Sequence, residues 1–333
     1  MTGDIGARPR FRVLSVIPGA SAGPSMIFAK RQALSLPPGE VTNRTFFLAT
    51  RTSPLGVWAE FRRFRAEIRQ FQPQVVHAHF GTVTALFCAL ATRLPLVITF
   101  YGSDLNPVPS MSGPRTVLAH SFSHLAALRA RQIICVTPQL RQRLRWRRRN
   151  IHVIPTGVDT SVFKPAPRDE ARRTLGWPLE DRVVLFNAGR APAVKRLDLA
   201  QAAVEEARKI DGRIRFVVLD GLVDPLQLPT IMNGSDCLLV TSDWEGSPTV
   251  VQEAMACDLP VVSVDVGDVR ERLSQVHPST IAPRKAPALG RAVAEMVARP
   301  QRSNGTAKVD GISLRTIVPR LVALYRAASK RAP

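Results

Sequence analysis

The stretch TSDWEGSPTVVQEAMACDLPVVSVDVGD, residues 241–268, decides how this chain is read. It sets Glu245 and Glu253 eight positions apart across a Gly-Ser-Pro turn and closes on a β-branched run and Gly267. Two carboxylates so spaced are too far apart along a helix to share a proton, so each has its own task. The apolar run at 236–241 predicts a strand ending at Thr241-Ser242. A loop then carries Glu245 and Gly246, Ser247 is the expected N-cap, and Pro248 is expected at the first position of a helix reaching about Ala256. Free N–H groups at Gly246 and Ser247 can receive a phosphate or sugar hydroxyls. Glu253 can accept hydrogen bonds from the paired hydroxyls of a ribose, and Glu245 lies near whatever the phosphate carries. The plainer alternative is a capped helix with two solvated acids; Trp244, Gly246, Pro248 and Gly267 favour a pocket wall built by backbone.

Upstream, a strand at 183–187 leads into NAGRAPAVKRLDLA, with Arg190 in the loop and Lys195 just before a helix expected over 197–208. A guanidinium can grip two oxygens while an ammonium acts as a movable point charge, so the two suit a diphosphate. Alone, such a pair is also what a solvated helix start looks like.

Outward from here, short β-branched runs alternate with helical patterns. RVLSVI (12–17), VVHAH (75–79), PLVITF (95–100), QIICVT (132–137) and IHVIP (151–155) precede a Gly/Pro-rich linker. RVVLFNAG (182–189), RIRFVVLDG (213–221), DCLLVTS (236–242) and LPVVSVDVG (259–267) follow it. That rhythm implies parallel strands with crossover helices. The expected fold class is α/β, two Rossmann-like lobes facing one cleft, with ligands beyond the carboxyl ends of the strands. The expected boundaries are 1–160, 161–313 and a basic amphipathic helix at 314–333 that packs back on the first lobe.

Length and composition bound the rest. The 333 residues, 45% apolar, exceed what one core usually supports. Cys88, Cys135, Cys237 and Cys257 stand singly in apolar runs, as reduced core thiols of a cytosolic protein. The N-terminal apolar stretch is too short for a signal-peptide core, and the segment 82–100 carries Arg93 and Pro95 where a membrane span tolerates them poorly. The net charge is +20, with seven lysines among the 46 basic residues. Its clusters are VWAEFRRFRAEIRQF (57–71), with Trp58, Phe61, Phe64 or Arg65, Ile68 and Phe71 at helical spacing, and RQRLRWRRRN (141–150). Both read as solvated faces or as segments lying on an anionic membrane surface. No recognition motif for nucleic acid accompanies them.

NAGRAPAVKR, TSDWEGSPTVVQEAMACDLPVVSVDVGD, VIPTGVDTSVFKP and TFYGSDLN, in their order and spacing, resemble the retaining glycosyltransferases of family 4, which have the GT-B fold. The resemblance covers nearly the whole chain. It implies a nucleotide-sugar donor held mainly by the C-terminal lobe, an acceptor held mainly by the N-terminal lobe, and transfer with retention. It implies no cofactor and no required metal, since the nucleotide sugar is a substrate. Carried over, Arg190 and Lys195 hold the diphosphate, Glu253 binds the ribose, Glu245 lies at the donor sugar, and Gly246, Ser247, Pro248 and Thr249 form the donor-binding turn. The small-residue loop at 16–25 resembles the family's glycine-rich turn, with Gly19 and Gly23 near the donor. His79 is the resemblance's contact to the transferred sugar, and Tyr101, Gly102 and Asp104 are candidates for acceptor or sugar contact. His77 and His79 are read as facing opposite sides of their strand. His120 and His124, at i and i+4, are read as ordinary helix residues.

The chain departs from the pattern in three places. Tyr101 stands where His is common, Thr156 where Asn is usual, and DGLVDPLQLPTIMNGSD (220–236) is shorter than the usual passage beside the nucleotide base. The resemblance points to cell-surface polysaccharide or glycolipid synthesis; the cysteines point to the cytoplasm, and the basic segments at 57–71 and 141–150, in the expected acceptor lobe, favour a polyprenyl-linked acceptor and an enzyme peripheral on the inner face of the membrane. Two other classes stay open: a nucleotide-sugar epimerase of the same fold, and a non-catalytic basic Rossmann protein that binds nucleic acid.

Overall fold

The computed structural model describes residues 10–23, 25–50, 53–107, 112–146 and 149–330, so Pro24 of the small-residue loop and Arg147 and Arg148 of the second basic block lie outside it. The chain divides into two compact units, Met1–Ile154 with Val318–Pro333, and Pro155–Ile317.

The first unit runs β1 (Phe11–Pro18), α1 (Ile27–Leu34), β2 (Val41–Leu48), α2 (Pro54–Phe71), β3 (Val75–His79), α3 (Thr82–Ala91), β4 (Leu96–Phe100), α4 (Gly113–Arg129), β5 (Gln132–Cys135), α5 (Pro138–Arg143) and β6 (Ile151–Val153). Among the described residues its strands form one parallel sheet in the order β2-β1-β3-β4-β5-β6. Strand β2 is absent from the sequence reading. Its polar Thr42, Asn43 and Arg44 break the apolar pattern, which a strand on the sheet edge tolerates because its outer side need not be covered. Helix α2 turns Phe64 and Phe71 inward, where Phe64 meets Phe46 of β2 and Phe87 of α3 edge-on at 5.1 and 5.3 Å. Phe64, not Arg65, takes the inward place, and Trp58 stays 60% exposed with Arg62 over its ring.

The second unit contains α6 (Arg168–Leu175), β7 (Arg182–Asn187), α7 (Pro192–Lys195), α8 (Leu197–Arg208), β8 (Ile214–Leu219), α9 (Leu228–Gly234), β9 (Cys237–Val240), α10 (Thr249–Ala256), β10 (Val261–Ser263), α11 (Val269–Leu273), β11 (Thr280–Ile281) and α12 (Ala286–Ala298). Its parallel sheet has the order β11-β10-β9-β7-β8. The centre of β7, Val183–Phe186, is almost wholly buried, as is all of β9. That is the continuous apolar run of strands covered on both faces. The closing helix α13 (Leu314–Ser329) has its residues from Val318 onward in the first unit, where Tyr325 is 1% exposed.

A buried ion pair pins the amino ends of β7 and β9. Asp236, just before β9, accepts from Arg172 of α6 at 2.7 Å and from the Val183 N–H of β7 at 2.6 Å. Arg172 is fully buried and also donates to the carbonyls of Gly234, Leu179 and Asp181. Removing one partner of such a pair strands the other charge and costs on the order of 3–5 kcal/mol. All four cysteines are free and buried.

Helix α12 lies so close to α8 that a Cβ on Gly290 would stand 2.7 Å from the Ala203 carbonyl oxygen and 2.5 Å from the Glu206 Cβ. Gly290→Ala sets a helix-propensity gain of about 1 kcal/mol against an overpacking cost of about 1–3 kcal/mol. Because backbone oxygen cannot swing aside, the cost wins. The expected result is a lower denaturation midpoint; an unchanged or raised midpoint contradicts the close approach.

Candidate functional site

In each sheet the strand order reverses once, between β1 and β3 in the first unit and between β9 and β7 in the second. The connections from such neighbours leave toward opposite faces, so a crevice opens beyond their carboxyl ends. Lys195 follows β7, and Glu245 follows β9, so both belong to the second unit's crevice.

The path from β7 is tightly specified. Gly189 has φ +51°, the left-handed conformation that a glycine adopts without a Cβ penalty, and the Ala191 N–H closes a turn on the Ala188 carbonyl. Pro192 then opens the one-turn α7, whose last residue is Lys195. Two bonds tie this turn to the end of β9: the Thr241 hydroxyl donates to the Lys195 carbonyl at 2.8 Å, and the Asp243 N–H donates to the Val194 carbonyl at 2.9 Å. Arg196 adds an ion pair to Asp243, and Arg284 donates to the carbonyls of Thr241 and Ser242. The Lys195 ammonium therefore stands 2.5 Å from Oε1 of Glu245, which also accepts from the Ser242 hydroxyl at 2.8 Å. The Lys195 and Glu245 side chains are 25% and 12% exposed. Arg190 is exposed and makes no hydrogen bond or ion pair among the described residues.

The turn after Glu245 differs from the sequence reading. The helix starts at Thr249 with Pro248 as its N-cap residue, and Ser247 does not cap it. Ser247 instead donates to Oδ2 of Asp268 at 2.9 Å and accepts from Gln252 at 2.9 Å. Gln252 and Arg272 donate to the hydroxyl oxygen that a cap would offer to a helix N–H, while the hydroxyl proton goes to Asp268, whose pKa burial raises despite its 2.7 Å pair with Arg272. Gly267 has φ +58°, and a Cβ there would meet the Gly246 carbonyl oxygen at 2.6 Å, so the wall is backbone against backbone. Among the described residues the N–H groups of Gly246, Ser247, Thr249 and Val250 have no protein acceptor, which is the condition of a helix start that can receive an anion. Glu253, one turn into α10, is 7% exposed. Asp268, Arg272, Gln252 and Arg284 escaped the sequence reading; the only trace of the first two is their i, i+4 spacing in opposite charge.

In the first unit, His77 and His79 share one side of β3, with ring centroids 3.8 Å apart, and do not face opposite sides. Side chains alternate with period two, so i and i+2 coincide. His77 bridges Tyr325 and Thr99 at 2.8 Å each, and Nδ1 of His79 bonds the Tyr101 hydroxyl at 2.8 Å. Nε2 of His79 is buried with no partner among the described residues. Burial drives the His79 pKa down to about 3, and burial next to His79 takes His77 well below its ordinary value, so both rings are neutral. The Asp104 carboxylate is fully buried and spent on backbone: it accepts from the N–H groups of Gly81, Tyr101 and Gly102. It ties the turn after β3 to the turn after β4, where Phe80 sits at φ +118° and Gly102 at φ +156°. Gly19 and Gly23 have φ +101° and +85°, and the Ser21 and Gly23 carbonyls accept from the Lys30 ammonium. His120 and His124 bond backbone carbonyls, and among the described residues no group of three or more metal-ligating side chains gathers.

Residues 23–162 match the family model described as Glycosyltransferase Family 4, and residues 178–299 match that described as Glycosyl transferases group 1. The Bacillus subtilis (strain 168) protein named as the teichuronic acid biosynthesis glycosyltransferase TuaC is 27% identical over 243 residues, 68% of this chain. The match spans only 61% of that relative's own length. Of solved structures, Anabaena HepE in complex with UDP-glucose is similar with a TM-score of 0.71 at 17% identity, over 96% of this chain and 100% of that one. The UDP-GlcNAc 2-epimerase of Methanocaldococcus jannaschii is similar with a TM-score of 0.60 at 15% identity, over 93% and 99%. At these identities the likeness is one of fold.

Two neutral buried histidines give a pH signature. Between the folded pKa and the ordinary value of 6.5, the unfolded chain binds a proton that the folded one does not, so stability falls as pH drops below 6.5. The expected slope is about 1.4 kcal/mol per pH unit for each histidine. Chemical denaturation at pH 7, 6 and 5 reads it, and His79→Asn is expected to remove about one proton of the slope. The same slope in both proteins contradicts a buried neutral His79.

Proposed function

Since this chain belongs to the glycosyltransferases of the family 4 type, with the GT-B fold, we propose that it moves a sugar from a nucleoside-diphosphate donor to an acceptor hydroxyl. The donor is a UDP- or GDP-sugar, the acceptor a sugar or a polyprenyl-linked sugar, and the anomeric configuration is retained. The name of the TuaC relative supports a place in cell-surface polysaccharide or glycolipid synthesis. One observation carries the reading: Lys195 is held at Glu245, the residue before a turn whose N–H groups lack protein acceptors.

The chemistry follows from those groups. An ammonium has three donors, and Lys195 spends one on Glu245, which leaves two for a diphosphate. The turn at Gly246–Thr249 supplies N–H donors for the same anion, Arg190 closes on it as a bidentate fork, and Glu253 accepts from the ribose. Glu245, steered by Ser242, positions the ammonium beside the donor sugar. The acceptor oxygen attacks the anomeric carbon as the bond from that carbon to the diphosphate breaks. The electron pair leaves on the phosphate oxygen, which takes the acceptor proton on the same face. Lys195, Arg190 and the N–H groups stabilise the charge that develops there, which needs no reorganisation at the moment of reaction. In the first unit, Asp104 acts by holding the turns that carry Gly81, Tyr101 and Gly102, and the unpaired Nε2 of neutral His79 can meet a sugar hydroxyl.

Lys195→Ala is expected to lower turnover about 10²–10³-fold while the protein still binds donor. Turnover near wild type with donor bound removes Lys195 from the mechanism. Thermal-shift measurements with a panel of nucleotide sugars identify the donor, because a ligand bound only by the native state raises the melting temperature with occupancy. Product analysis with donor alone separates transfer from epimerisation: an epimerised nucleotide sugar formed without acceptor contradicts the reading.

A further inference from the structure

We infer that the outward face of α4, with Trp146, Arg143 and Arg145, docks on an anionic lipid bilayer. This deepens the proposed function by giving a lipid-linked acceptor its surface, and rests on that reading for its purpose. Leu118, Leu125 and Leu128 of α4 are 54%, 47% and 49% exposed. Their spacing, i, i+7 and i+10, places them along one stripe of the helix, with Val117 beside it at 66% exposed. This is the reverse of a globular helix, whose outer stripe is polar. Trp146, 54% exposed, packs its ring 5.0 Å from that of His124 on the same helix, and His124 bonds the Arg143 carbonyl. An amphipathic ring therefore stands at the flank of the leucine stripe, with exposed Arg143 and Arg145 just before it in sequence.

The charge around the stripe chooses the occupant. Residues 105–158 contain nine arginines and no lysine, aspartate or glutamate. An open groove of about 630 Å³ beside α5 combines Arg141 and Arg145 with apolar Pro138, Ile151 and Val153, a lining suited to a headgroup phosphate above its acyl chain. A second copy of the chain fits poorly, because this face against itself opposes guanidinium to guanidinium with no acid to answer. Single-stranded nucleic acid leaves the leucines unused, since bases stack on rings and not on alkyl groups. A bilayer uses all three features: leucines at the acyl boundary, tryptophan at the interface, arginines at the headgroups. Helix α2, the basic segment most evident in the sequence, is less suited. Its Arg63 is paired with Glu60, and its Glu67 with Arg44.

The test is sedimentation of the full chain with vesicles of phosphatidylcholine, with and without phosphatidylglycerol, in roughly 0.15 M salt, where exposed charges act over about 8 Å. The wild type is expected to sediment with the anionic vesicles only. Leu125→Glu with Leu128→Glu is expected to cut that binding about tenfold or more, and Trp146→Ala to weaken it by less, with melting temperatures kept. The nucleotide-sugar thermal shift is expected to be the same in all three proteins, so loss of vesicle binding with the shift intact touches this face and not the donor site. Wild-type protein that fails to sediment, or a double variant that sediments like wild type, overturns the inference. So does an oligonucleotide that competes with vesicles for wild type and is bound less by the double variant, or a fall in oligomer mass on substitution.

Discussion

The arrangement rests on one ion pair across a reversal in strand order. Strands β7 and β9 are neighbours in the sheet but send their chains to opposite faces, and Lys195 and Glu245 meet where the two paths diverge. The pair is not left to chance encounters of long side chains. Thr241 and Asp243 bond the backbone of α7, Ser242 fixes the carboxylate, and Arg284 gathers the carbonyls of the strand end. At the amino ends of the same strands, Asp236 and Arg172 do the complementary job in a wholly buried setting. With both ends of β7 and β9 tied, a cation and a helix start stand on rigid backbone, which is what the proposed stabilisation of a departing diphosphate requires.

The first unit solves a different problem with the same means. At the end of its β3 lie two adjacent neutral histidines with tilted rings, one satisfied on both nitrogens and one on a single nitrogen. A buried neutral imidazole can exchange hydrogen bonds with a hydroxyl and adds no positive charge to its surroundings. The backbone around it is held by the Asp104 carboxylate, so the strained turn at Phe80 and the turn at Tyr101–Gly102 move together or not at all.

Much of this was legible in the sequence because the signals were local. The alternation of apolar runs gave two parallel sheets, and the loops after 183–187 and 236–241 carry Lys195 and Glu245 to the meeting that the structure shows. What was not legible depended on partners distant in sequence. Ser247 looks like an N-cap until Asp268 is seen to take its hydroxyl, and β2 looks like a loop until its place at the sheet edge excuses its polar residues. Opposite faces for the two histidines contradict the two-residue period of a strand, and the contact of their rings corrects the expectation. The leucines of α4 fit a core pattern as well as a surface one. Periodicity shows that they share a face and cannot show which way the face turns; burial does.

The central claim is that a diphosphate lodges between Lys195, Arg190 and the N–H groups that open α10. A crystal structure of the chain soaked with a UDP-sugar tests it most directly. The account predicts phosphate oxygens within hydrogen-bond reach of the Lys195 ammonium and the Gly246–Thr249 turn, with the ribose hydroxyls on Glu253. A diphosphate bound elsewhere, with the Lys195–Glu245 pair untouched, contradicts it.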